Sequence, residues 1–275
     1  MKNILVPVDF SEKSNQAVEV AVNLATKNNA KVFLLHCVEL PTKYVLHSTT
    51  EFPEVSFFLD IAKKNIEELL TKITQSHPNI SITPIVETYT ITDAVKDLID
   101  RELIDFIIMG STGATGAKEI FLGSNAEKVV RYAQIPVLVI KNSLNINNLK
   151  RIVFACDFSQ KYQNAIQKAI DFADFVGAKI DFVYINTPYQ FRTTREIKKL
   201  MTDFANSHPQ INSHSLHMYN DLRIEDGIIN FSEDFSSDLI CTFPIKQSNL
   251  AHFFNGSISE DIVNHSDKSV LTIKL

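Results

Sequence analysis

Glycine is scarce in this chain, with seven residues in 275. A sequence so poor in glycine has few freely turning backbone positions, so the places where glycine does occur carry information. Cysteine is scarcer still. Cys37, Cys156 and Cys241 each sit in an apolar run, and an odd count without regular spacing excludes a disulfide framework and predicts buried, reduced thiols. Positive charge is also short: 27 Lys and Arg against 32 Asp and Glu leave a net charge of −5, with no basic stripe, so no electrostatic footprint for nucleic acid is present. No uncharged apolar run approaches membrane-spanning length, and the N-terminus reaches Asp9 too soon for the apolar core of a signal peptide. The expected location is the cytoplasm. The apolar content of 45% and charged content of 21% are those of an ordinary globular protein, and the length suits one large domain or two ordinary ones.

Four of the seven glycines (Gly110, Gly113, Gly116 and Gly123) fall within fourteen residues. The apolar run Asp105-Phe106-Ile107-Ile108-Met109 leads into this cluster and reads as a buried strand, and a helical pattern from Ser124 to Ala133 leads out of it. Strand, glycine loop and helix N-terminus together form a layout that holds an anion on free backbone N–H groups. The same residues also fit a long turn with several left-handed positions, and the loop alone does not separate the two readings.

The chain repeats itself. Residues 3–8 read as a short buried strand, Ser11 as a helix cap, Ala17 to Ala25 as a helical stripe, and Lys31 to Val38 as a second strand. A long helix is expected from about Glu54 to Ser76, ending before His77-Pro78. Ile80 to Glu87 alternates like a strand, and Asp93 to Arg101 is a short helix. The strand at Pro136 to Lys141 closes the first half, and the polar stretch 142–148 reads as a linker. The pattern then restarts. Without a gap, Asp9, Phe10, Ser11, Lys13, Ala17, Ala21 and Ala25 meet Asp157, Phe158, Ser159, Lys161, Ala165, Ala169 and Ala173. Farther on, Gly123-Ser124 meets Gly256-Ser257, and Val137 to Lys141 meets Val270 to Lys274. The expected domains are therefore 1–142 and 149–275, the second shorter in its middle. Apolar strands alternating with helices predict a parallel sheet covered on both faces. Two copies ending in an open edge strand predict an intramolecular pseudo-dimer.

With repeat and loop together, the chain resembles a tandem universal stress protein. The residues that carry the resemblance are Ile4 to Ser11, His36-Cys37-Val38, Pro136 to Ile140, and Gly110-x2-Gly113-x9-Gly123-Ser124, the family's ATP-binding spacing. The resemblance implies two α/β domains of the adenine nucleotide alpha hydrolase-like kind, each with a five-stranded parallel sheet of order 3-2-1-4-5. The ends of the strands before Asp9 and Gly110 are then neighbours where the winding reverses, the position at which open α/β sheets bind ligands. The implied ligand is ATP, or ADP or AMP, with or without magnesium or manganese.

In that frame Gly110 and Gly113 let the loop approach ribose and phosphates. Gly123, Ser124 and Asn125 open a helix whose N–H groups hold phosphate, Ser124 being alternatively a plain helix cap. Pro7, Val8 and Met109 wall the base. Cys37 and Val38 reach adenine through backbone groups, Cys37 being alternatively core packing. Asp9 lies near base or ribose, or accepts backbone N–H bonds from the glycine loop. Ser111 and Thr112 offer hydroxyls near phosphate or satisfy the turn, Lys118 neutralises phosphate charge or, as a lone loop lysine more often does, stays solvated, and His36 is a packed or hydrogen-bonded core residue. In the second copy Phe243 and Lys246 stand where Gly110 and Gly113 stand in the first, so that copy is expected to act as a non-binding scaffold. His214 and His217 lie three apart in a strand-like run and make a poor metal pair, and no Cys/His cluster has zinc spacing. No nucleophile, base and orienter assemble. The expected activity is a sensor or switch for adenine nucleotide, with an interaction protein that binds no nucleotide, or a weak ATPase, as the alternatives.

Overall fold

The computed structural model describes residues 1–38, 53–112, 122–159, 163–243 and 258–274. These fall into two compact units, one reaching Val137 and one running from Leu138, together with Leu122. No helix among the described residues is long and apolar enough to cross a membrane.

The first unit starts with β1 (Asn3–Pro7), α1 (Glu12–Asn28) and β2 (Lys31–Cys37). It continues through α2 (Pro53–Ser76), β3 (Ser81–Glu87), α3 (Ile91–Arg101), β4 (Phe106–Gly110) and α4 (Ser124–Tyr132) to the first residue of β5 (Val137–Ile140). β1 pairs in parallel with β2 and β4, and β2 pairs with β3, so the order is β3-β2-β1-β4 with β5 next, as expected from the resemblance. Ile4, Leu5, Val6 and Phe106, Ile107, Ile108 are wholly buried. A central parallel strand is covered on both faces, which is why these segments read as unbroken apolar runs. Pro84 falls in β3, where the missing N–H is tolerated because the strand lies at the edge.

Local chemistry sets the helix ends. Ser11 Oγ accepts the Ser14 N–H at 3.2 Å to start α1, and Asn29 closes it in the left-handed region at φ 52°. Thr90 caps α3 by accepting the Asp93 N–H. α2 stops at Ser76, one residue before His77-Pro78.

Gly110 serves the packing of the fold. A Cβ there would lie 2.8–2.9 Å from the backbone carbonyl and Cβ of Lys13, in the first turn of α1. Its missing side chain lets α1 close on the end of β4, a packing role added to the expected one of admitting ribose and phosphate. Gly110→Ala is expected to destabilise the first unit by about 1–3 kcal/mol through overpacking. Urea denaturation checks this, and a change below roughly 0.5 kcal/mol would show that α1 can shift away freely.

The second unit repeats the plan with β6 (Arg151–Ala155), α5 (Gln163–Val176), β7 (Lys179–Asn186), α6 (Thr194–Ser207), β8 (Ser215–Asn220), α7 (Ile224–Asp234), β9 (Leu239–Thr242), α8 (Ile258–His265) and β10 (Val270–Thr272). Its pairs are all parallel, in the order β8-β7-β6-β9-β10. The polar stretch 142–148 is not a free linker. Ile146 is buried in a short turn at Ile146–Asn148, and Asn142 Nδ2 donates to the Asp267 carbonyl at 2.9 Å.

Asp181 stands where the first copy has Phe33. It is 3% exposed, and its carboxylate accepts from Arg151 Nε and contacts His217 Nε2, both at 2.9 Å. A buried charge in a strand is tolerated only when paired in this way. None of the three cysteines is in a disulfide. Burial pushes the Cys156 thiol up to about 12 and that of Cys241 well above its ordinary value, which makes both inert.

Lys141 is 8% exposed, and its Nζ donates to the carbonyls of Asn264 and Ser266 at the carboxyl end of α8. Desolvation lowers its pKa to about 8, against a smaller opposing pull from Asp267. Between that value and 10.5 the unfolded chain holds a proton that the folded chain has lost, so stability rises with pH across this window. Discounted for partial solvent screening, the rise is on the order of 1–2 kcal/mol. Denaturation of the protein and of Lys141→Met at pH 7.5 and 10 isolates the effect, which is expected to be absent from the variant.

Candidate functional site

At the carboxyl ends of β1, β2 and β4 the first unit contains a cavity of about 370 Å³. β1 and β4 are neighbours there and the chain leaves them in opposite directions, which opens a crevice between their loops. One side of the cavity is apolar, built from Pro7, Val8, Leu35, Ile91 and Met109. The other carries backbone and hydroxyls: Gly110, Ser111 and Thr112 leaving β4, and Gly123 to Ala126 entering α4.

The Gly123 N–H donates to the Ser111 carbonyl at 2.7 Å, so a single short bond ties the start of α4 to the end of β4. Gly123 itself is the N-cap of α4 and has no side chain to offer, which leaves α4 without a side-chain cap. The reading of Ser124 as the cap is thereby corrected: Ser124 is the first helical residue. The N–H groups of Ser124, Asn125 and Ala126 have no protein acceptor among the described residues, and all three residues line the cavity. By contrast α1, α3 and α6 are each capped by a Ser or Thr hydroxyl. An uncapped helix start carries orphan donors and roughly half a positive charge.

Asp9 Oδ1 accepts the N–H of Ser11, two residues on, at 3.1 Å, and Asp157 Oδ1 accepts that of Ser159 at 2.9 Å. The structural share of Asp9 includes this tight local turn; the expected bond to the glycine loop falls on residues outside those described. Between these partners Phe10 and Phe158 take φ of 64° and 56°, a strained setting for a bulky residue. The strain is held by ring packing: Phe10 on His36 with centroids 4.7 Å apart, and Phe158 on Tyr184 at 6.5 Å.

Of the residues singled out in the sequence, Pro7, Val8, Asp9, Cys37, Met109, Gly110, Ser111, Gly123, Ser124 and Asn125 line the cavity. Cys37 is half-buried at its wall, unlike the fully buried Cys156 and Cys241. Val38 does not line it. Its N–H extends the β2–β3 ladder to the Glu87 carbonyl at 2.8 Å, which leaves only its carbonyl for the expected backbone contact. Gly113, Gly116 and Lys118, and in the second copy Lys246, Gly256 and Ser257, lie outside the described residues.

Sequence reasoning missed Ser14, Leu35, Ile91 and Ala126, and took His36 for a packed or hydrogen-bonded core residue with no place in the site. The signal for His36 was available. In a parallel pair the end of β2 lies beside the end of β1, and His36 precedes Cys37 at that end.

The second unit differs at the matching strand end. Phe243, in the place of Gly110, is 2% exposed and packs on Phe154 with centroids 5.3 Å apart.

The sequence model of the universal stress protein family matches twice, over residues 1–141 and 148–274. A universal stress protein of Methanocaldococcus jannaschii is 30% identical over 143 residues, 51% of this chain and 82% of its own length. A Staphylococcus aureus relative is 29% identical over 168 residues, 59% of this chain and 98% of its own. A universal stress protein structure from Archaeoglobus fulgidus superposes with a TM-score of 0.72 at 20% identity, covering 99% of this chain and 98% of that one, which is a likeness of fold.

Proposed function

Because the chain belongs to the universal stress protein family, we propose that its first domain, residues 1–142, binds one adenine nucleotide and that its second, residues 149–275, is a scaffold that binds none. The observation that carries this reading is the uncapped start of α4: three free N–H groups at one end of a cavity whose other side is apolar. Phosphate meets the donors, and base and ribose meet Pro7, Val8, Leu35 and Met109. The match is one of chemistry, since the described lining offers no Lys or Arg and its one carboxylate, Asp9, is already engaged with Ser11. The anion is therefore held by backbone and helix dipole, and a magnesium or manganese ion would ride on the phosphates. The ligand is ATP, with ADP and AMP as shorter forms, and the protein acts in the cytoplasm as a nucleotide-responsive sensor.

Calorimetric titration with ATP, ADP and AMP tests the reading. One site per chain is expected, and ATP at about a hundred times its dissociation constant is expected to stabilise the native state by about 2.7 kcal/mol. Hydrogen exchange at the amides of Ser124, Asn125 and Ala126 is expected to slow on binding. Two equivalent sites, or no binding at all, would overturn the assignment. Phosphate release above the uncatalysed rate would turn the sensor into a slow ATPase.

A further inference from the structure

We propose that His36 selects the ligand of this cavity by accepting a hydrogen bond from it, an inference that rests on the nucleotide reading and adds to it the chemistry the ligand must present. His36 Nδ1 lies 2.7 Å from the Val8 carbonyl. A carbonyl only accepts, so Nδ1 carries the proton, and in the Nδ1–H tautomer Nε2 is a bare acceptor. Nε2 has no protein partner among the described residues, on a side chain that lines the cavity. The ring is fixed on its other side by Phe10. This is an oriented acceptor at a cavity wall, held by two contacts that do not use the accepting atom.

The second copy separates packing from recognition. Tyr184 takes the place of His36 and stacks on Phe158, so an aromatic ring of another kind suffices to support the strained phenylalanine. Where Phe243 replaces Gly110 the imidazole is gone, and beside the cavity of the first unit it is present. Strand order places the acceptor. β2 and β4 flank β1, so His36 lies about two strand spacings, roughly 10 Å, from the β4 side where the free N–H groups of α4 sit. That is the end of the ligand away from the phosphates. The group meeting Nε2 must be a donor, which on an adenine nucleotide is the 6-amino group or a ribose hydroxyl. A 6-oxo purine would set acceptor against acceptor.

The test compares affinities of the full chain and of His36→Asn for ATP, inosine triphosphate, 2′-deoxy-ATP and 3′-deoxy-ATP by calorimetry. The shorter amide of the variant still reaches the Val8 carbonyl but lacks Nε2. In the wild type one of the three analogues is expected to bind at least about tenfold more weakly than ATP, and that preference is expected to collapse toward unity in the variant while the other two ratios hold. Which ratio collapses identifies base or sugar. A measurement free of mutation guards against a variant that folds poorly: the ¹⁵N resonance of His36 Nε2 in the wild type is expected to shift on adding ATP. ATP binding with all three ratios unmoved and that resonance unchanged overturns the assignment of His36 alone. Failure of the wild type to bind ATP overturns the nucleotide reading as well.

Discussion

Phe243→Ala is expected to destabilise the second unit by about 3–5 kcal/mol and to leave nucleotide stoichiometry at one per chain. Phe243 is 2% exposed and lies against Phe154, which in turn packs edge-on to Phe182 with centroids 5.5 Å apart. Phe182 continues to Phe204 at 5.8 Å. Removing the first ring of this chain leaves a void that the others fill only in part, so both lost transfer energy and lost contacts count. Deleting the ring does not restore a site, because Tyr184 still stands in the place of His36. Chemical denaturation gives the stability and titration the stoichiometry. A second nucleotide bound by the variant would show that Phe243 alone closes the second crevice, and would defeat the claim that this copy has become a scaffold throughout.

Much of this was legible in the sequence, for physical reasons that differ from feature to feature. Central strands such as Ile4-Leu5-Val6 are buried on both faces and so announce themselves as apolar runs. The glycine cluster marked the cavity because glycine is otherwise so rare in this chain. The packing role of Gly110 was not legible. The constraint on it comes from Lys13, nearly a hundred residues earlier, and no local pattern records that approach. Asp181 was missed for a similar reason. A lone acid in a strand reads as surface until Arg151 and His217 are seen to hold it. Ser124 carried a plain cap as its alternative reading because serine is a common cap, whereas the structure puts Gly123 in that position and so leaves the donors of the helix free.

Those free donors make opposite predictions for stability and binding, and one substitution exposes both. Asn125→Asp is expected to raise the melting temperature of the ligand-free protein and to weaken ATP binding by at least about tenfold. Asn125 is exposed in the first turn of α4, which has no side-chain cap and whose one acid, Glu127, sits at the far end of that turn. A carboxylate there is favourable by about 0.3–1 kcal/mol, because it accepts the orphan N–H groups and offsets the partial positive charge. The same carboxylate occupies the donors that phosphate needs and repels it over a short distance. Repulsion of about 1 kcal/mol at 4 Å in bulk water, rising to about 4 at an effective dielectric of 20, brackets the expected loss. Asn125→Ala is the control. It removes the amide without adding charge and is expected to leave affinity within about threefold. Thermal melting without ligand and calorimetric titration with ATP give the two numbers. A gain in stability with affinity unchanged would mean that the charge reaches the helix start but the phosphates do not, and would place the anion elsewhere in the cavity. A loss of both would mean that Asn125 does structural work its exposure does not reveal. Only stability and affinity moving in opposite directions fit a helix start left uncapped because the ligand completes it.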